Sequence, residues 1–226
     1  MDSEVLISIR DASIFQHDNL VLEHVNIEIK KGEFVYLIGK TGSGKSSLLR
    51  TLYADLPLRA GEAEIAGFSI HQLKNREIPF LRRKLGIIFQ DFQLLMDRDV
   101  SENLRFILKS TGWKKGHEME SRIEEVLKKV GLFTKAHKMP HQLSGGEQQR
   151  LGIARALIND PEIIIADEPS GNLDPETTAE ILQLLLDLAS AGLAVLVATH
   201  DLTLFELHRA RTLKCDGGVV IDSNLL

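Results

Sequence analysis

The stretch Gly39-Lys40-Thr41-Gly42-Ser43-Gly44-Lys45-Ser46 decides the fold. It matches the pattern G-x-x-x-x-G-K-[ST] and lies between an apolar segment, Phe34–Ile38, and a predicted helix, 46–53. Glycines let the main chain curl around a phosphate group, and a helix N-terminus adds a favourable dipole. We expect Lys45 to neutralise phosphate charge, Ser46 to bind Mg²⁺ and Ser47 to complete the loop. A glycine-rich turn without a ligand is the alternative, which the full pattern in this context disfavours.

The segments around this loop predict an α/β fold with a mainly parallel sheet. Several short runs are apolar at every position, as strands must be when both faces of a sheet are covered. The predicted strands are 6–9, 27–29, Phe34–Ile38, 85–89, 163–166, 194–198 and 218–221.

Helical patterns lie between these strands. The residues Ile123, Val126, Leu127 and Val130 have the spacing of one helix face, and Gly131 can end that helix. Asp174 before Pro175 predicts the start of a long helix that ends near Gly192. Residues 91–141 contain no clear strand, so we interpret them as a mostly helical insertion.

Composition limits the classes of protein. The chain has 226 residues, 43% of them hydrophobic, which is enough for one large domain with its own core. A net charge of −5 argues against direct nucleic-acid binding. The sequence has one cysteine, no secretion-signal pattern and no apolar run of about 20 residues. These features favour a cytoplasmic location. Any membrane role must therefore come through a separate protein.

Two carboxylates follow the apolar run 163–166. Carboxyl ends of parallel strands are where open α/β sheets bind ligands, so Asp167 is predicted to orient Mg²⁺. Glu168 is predicted to act as general base or to position the attacking water. On its own, this Asp-Glu pair would indicate an ordinary strand end; beside the phosphate-binding loop, the functional interpretation is favoured.

A third motif narrows the family. Leu143-Ser144-Gly145-Gly146-Glu147-Gln148-Gln149-Arg150 resembles the signature motif of ATP-binding cassette proteins. Its residues also predict a helix start, because Ser144 and Glu147 form an S-x-x-E capping box. Two glycines at that start leave N–H groups open to an anion. An ordinary capped helix explains the serine and the glutamate alone.

Further residues match the family in its order along the chain. Gln90 resembles the Q-loop glutamine, which binds Mg²⁺ and nucleotide. The run 170–174, ending at Asp174, resembles the D-loop, and His200 resembles the switch histidine. Phe15 stands where the family usually has a tyrosine that stacks on adenine; a core aromatic residue is the alternative. Alone, His200 would be interpreted as a structural histidine.

The resemblance implies a fold, an activity and partners. The fold is a P-loop NTPase cassette over 1–226, with a mainly parallel core sheet, antiparallel β segments and a helical subdomain over about 91–158. The activity is hydrolysis of ATP with Mg²⁺, in which Lys45, Glu168 and His200 act as catalytic residues. ATP would lie between the phosphate-binding loop of one copy and Ser144, Gly145 and Gly146 of a second, in a head-to-tail homodimer. An integral membrane protein would dock near residues 90–105.

Within the family, Leu94-Leu95-Met96-Asp97-Arg98 and Ser170-Gly171-Asn172-Leu173-Asp174 most resemble bacterial cell-division ATPases. Lipoprotein-release and macrolide-efflux ATPases share much of this pattern and stay as alternatives. So does a scaffold that binds ATP without hydrolysis, although Glu168 and His200 are retained. A soluble cassette enzyme of DNA repair or translation is disfavoured by the single set of motifs. The lysines of the insertion could face anionic lipid, but interspersed glutamates favour a solvated surface.

Overall fold

The computed structural model describes residues 3–201 and 203–223. Its strands are β1 Val5–Gln16, β2 Asn19–Lys30, β3 Phe34–Ile38, β4 Ala60–Ile65, β5 Phe68–Ser69, β6 Leu85–Ile88, β7 Ile163–Asp167, β8 Ala194–Thr199, β9 Arg211–Asp216 and β10 Val219–Asp222. Its α-helices are α1 Lys45–Leu52, α2 Ile78–Arg83, α3 Val100–Ser110, α4 Gly116–Lys129, α5 Gly145–Leu157, α6 Pro175–Ser190 and α7 Thr203–Leu207. None of the helices described is long and apolar enough to cross a membrane.

A six-stranded sheet in the order β10-β9-β3-β8-β7-β6 forms the centre of the fold. Neighbours from β9 to β6 are parallel, and β10 pairs antiparallel with β9. Both faces are covered, since Tyr36 of β3 enters one apolar core cluster while Val35 and Leu37 enter the other. This double burial explains why these strands are continuous apolar runs in the sequence.

A second sheet is antiparallel, in the order β2-β1-β4-β5. Its inward residues, among them Ile7, Ile29 and Ile65, are fully buried in the cluster that also holds α1. Outward positions are mostly polar, which gives β2 the alternating pattern of a half-buried strand. Helix α1 therefore lies between the two sheets, with the phosphate-binding loop at its start.

Residues 91–158 contain α3, α4 and α5, and no strand is found in that range of the structure. Apolar side chains from these helices pack together, including Leu104, Ile123 and Leu151. Lys115, Lys128 and Lys135 each pair with a nearby glutamate. These ion pairs favour the interpretation that the three lysines belong to a solvated charged surface, not to a surface that binds anionic lipid.

The α/β fold with mixed sheets is confirmed, and each of the seven predicted strands overlaps an observed one. The predicted helix starts at Asp174 and Ser144 are also confirmed, because both side chains accept a hydrogen bond from the N–H group three residues later. The strands β4, β5 and β9 were not predicted. The first and second predicted strands proved to be parts of much longer ones, β1 and β2.

Asn103 holds the chain segment before α3. Its side chain is fully buried, accepts from the Leu95 N–H at 2.9 Å and donates to the Leu95, Arg98 and Asp99 carbonyls. We expect Asn103→Leu to lower the free energy of unfolding by about 3 kcal/mol, because it leaves these main-chain groups unpaired. Urea unfolding measures this. The matched change Gln183→Leu, at an exposed amide of α6, should cost less than about 0.5 kcal/mol. Equal losses in the two variants would contradict the assignment.

Candidate functional site

Four adjacent parallel strands bring the predicted site residues to one edge of the sheet. The strands β3, β8 and β7 end at this edge and lead directly into Gly39, His200 and Glu168, and β6 ends two residues before Gln90. Residues that are far apart in the sequence thus come together because their strands are neighbours and point the same way.

The phosphate-binding loop follows β3 and encloses the ammonium group of Lys45. Lys45 is 7% exposed, and its Nζ donates to the Gly39 carbonyl at 2.8 Å and to the Lys40 carbonyl at 3.4 Å. Gly44 has φ of +101° directly before α1, and a Cβ there would lie 2.8 Å from a Val21 side-chain atom. Glycine is therefore required at this position both for its backbone conformation and for the close approach of β2.

A cavity of about 410 Å³ lies over this loop. Most of the predicted site residues line it together: Thr41, Gly42, Gly44, Lys45, Ser46, Ser47, Gln90, Asp167, Glu168 and His200. Gly39, Lys40 and Ser43 form the outer turn of the loop, where the Ser43 N–H donates to the Lys40 carbonyl at 3.1 Å. A Cβ at Gly39 would lie 2.5 Å from the Ser43 hydroxyl and 2.6 Å from the Cys215 carbonyl, so the turn leaves no room for a side chain there.

Asp167 ends β7 beside the start of α1. Burial raises the pKa of its carboxyl group, while a hydrogen bond with Ser46 lowers it. The Ser46 hydroxyl, the Asp167 carboxylate and the Gln90 amide all offer oxygen atoms to the same cavity. Oxygen donors of this kind suit Mg²⁺.

Glu168 is held by groups from the end of β8 and the start of α1. Its Oε1 lies 2.8 Å from His200 Nδ1 and 3.8 Å from Lys45 Nζ, and its Oε2 accepts from the Thr199 hydroxyl at 3.2 Å. The carboxylate is only 12% exposed. A carboxylate oxygen accepts hydrogen bonds, so the His200 tautomer that can donate to it is the one with the proton on Nδ1.

The backbone of Glu168 also departs from strand geometry. Its φ is +49°, a left-handed conformation that costs a residue with a side chain about 1–3 kcal/mol. The Glu168 N–H still bonds the Ala198 carbonyl at 2.9 Å. The turn at this residue therefore aims the carboxylate into the cavity while the main chain stays attached to β8.

Gln90 follows β6 at the rim of the cavity. The Asn172 side chain donates to its carbonyl at 3.3 Å, which ties the Gln90 main chain to the segment after Glu168. A Cβ at Gly171 would lie 3.1 Å from the Gln90 amide nitrogen. Glycine at 171 leaves space for the Gln90 side chain to move.

The serine and glycines of the Leu143–Arg150 motif do not line this cavity. Ser144 caps α5, and a Cβ at Gly146 would lie 2.4 Å from a Thr177 methyl group. Asp174 caps α6 and accepts from the Thr177 hydroxyl at 2.6 Å, which lowers the pKa of its carboxyl group. One chain alone therefore brings together the phosphate-binding loop, the carboxylates, Gln90 and His200, and leaves the glycine pair elsewhere.

Phe15 lies near the cavity without lining it; its neighbour Gln16 lines the cavity instead. The Phe15 ring is half-buried, and the Arg59 guanidinium lies 5.4 Å from its centroid. Arg59 in turn pairs with Asp18 at 3.1 Å. The sequence did not reveal Gln16, Val21 or Arg50 as lining residues, since no linear motif includes them.

Comparisons with known proteins place this chain among relatives of known family. The sequence profile of the ABC transporter family matches residues 22–171. A protein from Streptococcus pneumoniae named "Cell division ATP-binding protein FtsE" is 38% identical over 218 residues, covering 96% of this chain and 94% of its own. Proteins of the same name from Mycobacterium tuberculosis and Escherichia coli are 43% and 45% identical, covering 88% and 87% of this chain and 86% and 88% of their own.

Solved structures are similar over nearly the whole chain. A "Dimeric structure of a post-hydrolysis state of the ATP-binding cassette MJ0796 bound to ADP and Pi" has a TM-score of 0.82 and 35% identity, covering 95% of this chain and 96% of its own. The CbiO1 protein of Clostridium perfringens, part of an ABC transporter complex, has a TM-score of 0.88 and 29% identity, covering 96% of this chain and 87% of its own. The matching family profile, the similarity to these relatives over most of the chain and the four strand ends that meet at one cavity show that this chain belongs to the ABC transporter family as an ATP-binding cassette ATPase.

Proposed function

We propose that this chain is the ATPase subunit of a cell-division complex and acts with an integral membrane protein of the FtsX type. The observation that carries the proposal is similarity to FtsE proteins of three bacteria along almost the entire chain. ATP-driven dimerisation on the cytoplasmic face of the membrane would then be relayed through the partner to control peptidoglycan hydrolysis. We propose that residues 1–226 form a single nucleotide-binding domain, with a helical subdomain over about 91–158.

Lys45, Ser46, Asp167 and Gln90 form the proposed Mg-ATP site. Lys45 places a charged donor, held by two loop carbonyls, where the β- and γ-phosphates would lie. Ser46, Asp167 and Gln90 would hold Mg²⁺ through their oxygen atoms. Mg²⁺, when bound, neutralises charge on the phosphate oxygens. The main-chain N–H groups of the Gly39–Ser46 loop and the start of α1 would bind the phosphates.

Glu168 is the proposed general base or water-positioning group. Its contact with His200 orients the carboxylate at the cavity wall, where the Glu168 side chain is only 12% exposed. The remaining lone pairs of the carboxylate would accept a proton from the attacking water, or orient that water. His200 would then sense the γ-phosphate from the end of β8.

A second copy of the chain would complete the site. Ser144, Gly145 and Gly146 lie outside the cavity of their own chain, at the N-terminus of α5, where free N–H groups favour an anion. The dimeric, ADP- and phosphate-bound state of the MJ0796 cassette supports this arrangement. ATP would join two copies, and loss of the γ-phosphate would release them. Asp174 would stand near the dimer interface, and Phe15 would stack on adenine after Arg59 moves aside.

The proposed docking site for the membrane partner is a cavity of about 310 Å³ between α2, β6, α3 and α5. Apolar side chains line it, including Leu85, Phe89 and Ile107, together with Arg83 and Arg155. Neither Arg83 Nε nor Arg155 Nε has a hydrogen-bond partner among the residues that the structure describes. Because both groups only donate, we infer that the occupant is an apolar segment of the partner that carries a carboxylate.

Exposed apolar side chains also occur before α3 and on α3 itself, the helix that lines the cavity through Ile107. Met96 and Phe106 are 54% and 41% exposed, and Phe106 lies one residue before Ile107 on α3. We expect Phe106→Glu to abolish co-purification of the membrane partner, because it adds a carboxylate to the helix that lines the docking cavity, beside the apolar segment and the carboxylate proposed for the partner. ATP hydrolysis by the isolated chain should persist. Affinity purification from native membranes, followed by identification of the bound membrane protein, measures this.

Phe133 offers a matched control. It is 46% exposed and has a lysine 5.0 Å from its ring, much as Phe106 has Arg98 at 4.3 Å. Phe133 follows α4, which contributes no residue to the docking cavity, whereas α3, the helix of Phe106, lines that cavity through Ile107 and Ser110. Phe133→Glu should leave the partner bound. Loss of the partner in both variants, or in neither, would contradict the docking site.

The same purification separates the alternatives. An FtsX-type protein would support the cell-division function, whereas a lipoprotein-release or macrolide-efflux permease would place the chain in those systems. If the chain were instead a scaffold that binds ATP without hydrolysing it, the purified chain would release no phosphate from ATP. Glu168 and His200, in hydrogen-bond contact at the cavity wall, favour a hydrolysing enzyme.

A further inference from the structure

Gln149 is a buried polar side chain outside the proposed nucleotide site. It lies on α5 and is 0% exposed, yet neither its Nε2 nor its Oε1 has a hydrogen-bond partner among the described residues. Asn103, equally buried, uses both of its amide atoms. Buried amides are nearly always bonded, and an unbonded one destabilises the fold. The unpaired amide of Gln149 therefore suggests a second conformation of the protein in which it forms a hydrogen bond.

The main chain that follows Gln90 lies beside this amide. Gly152 is three residues after Gln149 on α5, and a Cβ there would be 3.8 Å from Gln149 Oε1 and 3.9 Å from the Phe92 carbonyl oxygen. The absence of a side chain at Gly152 leaves the space between the amide and this carbonyl open. Both of these oxygen atoms accept hydrogen bonds, so a bond across this space requires the Gln149 amide to turn its Nε2 toward the Phe92 carbonyl.

The segment 90–93 is itself strained. Phe92 and Gln93 have φ of +58° and +47°, and left-handed backbone is unfavourable for residues with side chains. Arg155 holds this shape from α5, since its guanidinium donates to the Gln93 carbonyl and, at 3.5 Å, to the Phe92 carbonyl. Arg155 and Asn172, which donates to the Gln90 carbonyl, both hold this segment, so its strained shape can change when Gln90 is drawn to a ligand.

We propose that Gln149 is a positioning residue that bonds the main chain of segment 90–93 in the ATP-bound dimer and is unbonded in the described conformation. Its Nε2 donates to a carbonyl of that segment once Gln90 has moved toward the bound nucleotide. Helix α5, which is capped by Ser144 and begins with the glycine pair Gly145 and Gly146, also carries Gln149. The bond therefore connects segment 90–93, which responds to the nucleotide of its own chain, to the glycine pair that meets the other copy. The inference rests on the proposed ATP-driven dimer and adds a regulator of its assembly.

The test is Gln149→Met, which keeps the length of the side chain and removes its polar atoms. Without nucleotide, the variant should have a higher thermal midpoint, because an unpaired buried amide is gone. Combined with Glu168→Gln, it should need about tenfold more ATP for half-maximal dimerisation, since one neutral hydrogen bond is lost in each of the two copies. A merely structural amide would not produce these opposite effects.

Ile153→Val serves as a control on the same helix, at an equally buried position. It should lower the thermal midpoint and leave the ATP dependence of dimerisation unchanged. Two results would overturn the proposal: an unchanged ATP requirement in Gln149→Met, or a lower thermal midpoint, which would mean that the amide is already bonded.

The parent variant Glu168→Gln separates this inference from the proposed function. If the parent stays monomeric with ATP, the proposed dimer fails, and hydrogen exchange then tests Gln149. ATP should slow amide exchange in residues 90–93 of the parent and have a smaller effect in the Gln149→Met form. Equal slowing in both would overturn the role of Gln149.

Discussion

Glu168→Gln is expected to lower ATP turnover by about 100-fold or more, the usual contribution of a positioned general base. Glutamine has the same shape and can still bond Thr199 and His200, so the cavity should keep its form. It lacks the negative charge and the basicity needed to accept a proton from water. Phosphate release under saturating ATP measures the loss.

The same variant should bind ATP and accumulate as a dimer. Lys45, Ser46 and the glycine loop are untouched, and removing a negative charge near the γ-phosphate favours the ATP-bound form. Light scattering with ATP should show a molecular mass close to twice that of the monomer.

Glu162→Gln is the matched control, because Glu162 precedes the opposite end of the same strand, β7, and pairs with Lys84 on the surface. Its turnover should equal that of the wild type. Normal turnover in Glu168→Gln, or an equal loss in Glu162→Gln, would contradict the role of Glu168.

Much of this site could be predicted from the sequence, because the phosphate-binding loop and the carboxylate pair each lie at the end of a strand that is buried on both faces. Runs such as Phe34–Ile38 and 163–166 are continuously hydrophobic, which identifies them without knowledge of their neighbours. Their parallel arrangement then brings the ends of the runs to one edge. Linear order and sheet topology together were enough to assemble Lys45, Asp167 and Glu168.

Other features depend on contacts that the sequence does not encode locally. Strand β9 has the alternating composition of Arg211–Asp216 and joins the sheet by pairing with β3, far away in the chain. Gln16 and Val21 reach the cavity because the β1–β2 hairpin packs over the phosphate-binding loop. The unpaired amide of Gln149 was hidden for the same reason: the motif predicts a helix start, and only packing shows which side chains of that helix lack partners.

Lys45→Ala should weaken ATP binding by about 10- to 100-fold, since a hydrogen bond to a charged group contributes about 1.5–3 kcal/mol. In the structure, two loop carbonyls and Glu168 surround the Lys45 ammonium, which is almost fully shielded from solvent. Its loss removes the nearest positive charge to the proposed phosphates and leaves Glu168 to repel them. Isothermal titration with ATP measures the affinity, and the thermal shift on adding ATP should shrink in parallel.

Lys31→Ala separates a local effect from a general change in charge. Lys31 is exposed in the turn before β3, whereas Lys45 follows the loop at the other end of that strand. Both variants lose one positive charge, but only Lys45 points into the cavity. ATP affinity should therefore be unchanged in Lys31→Ala, because exposed charges beyond about 10 Å are screened at ordinary ionic strength. Unchanged affinity in Lys45→Ala would remove this lysine from the phosphate site.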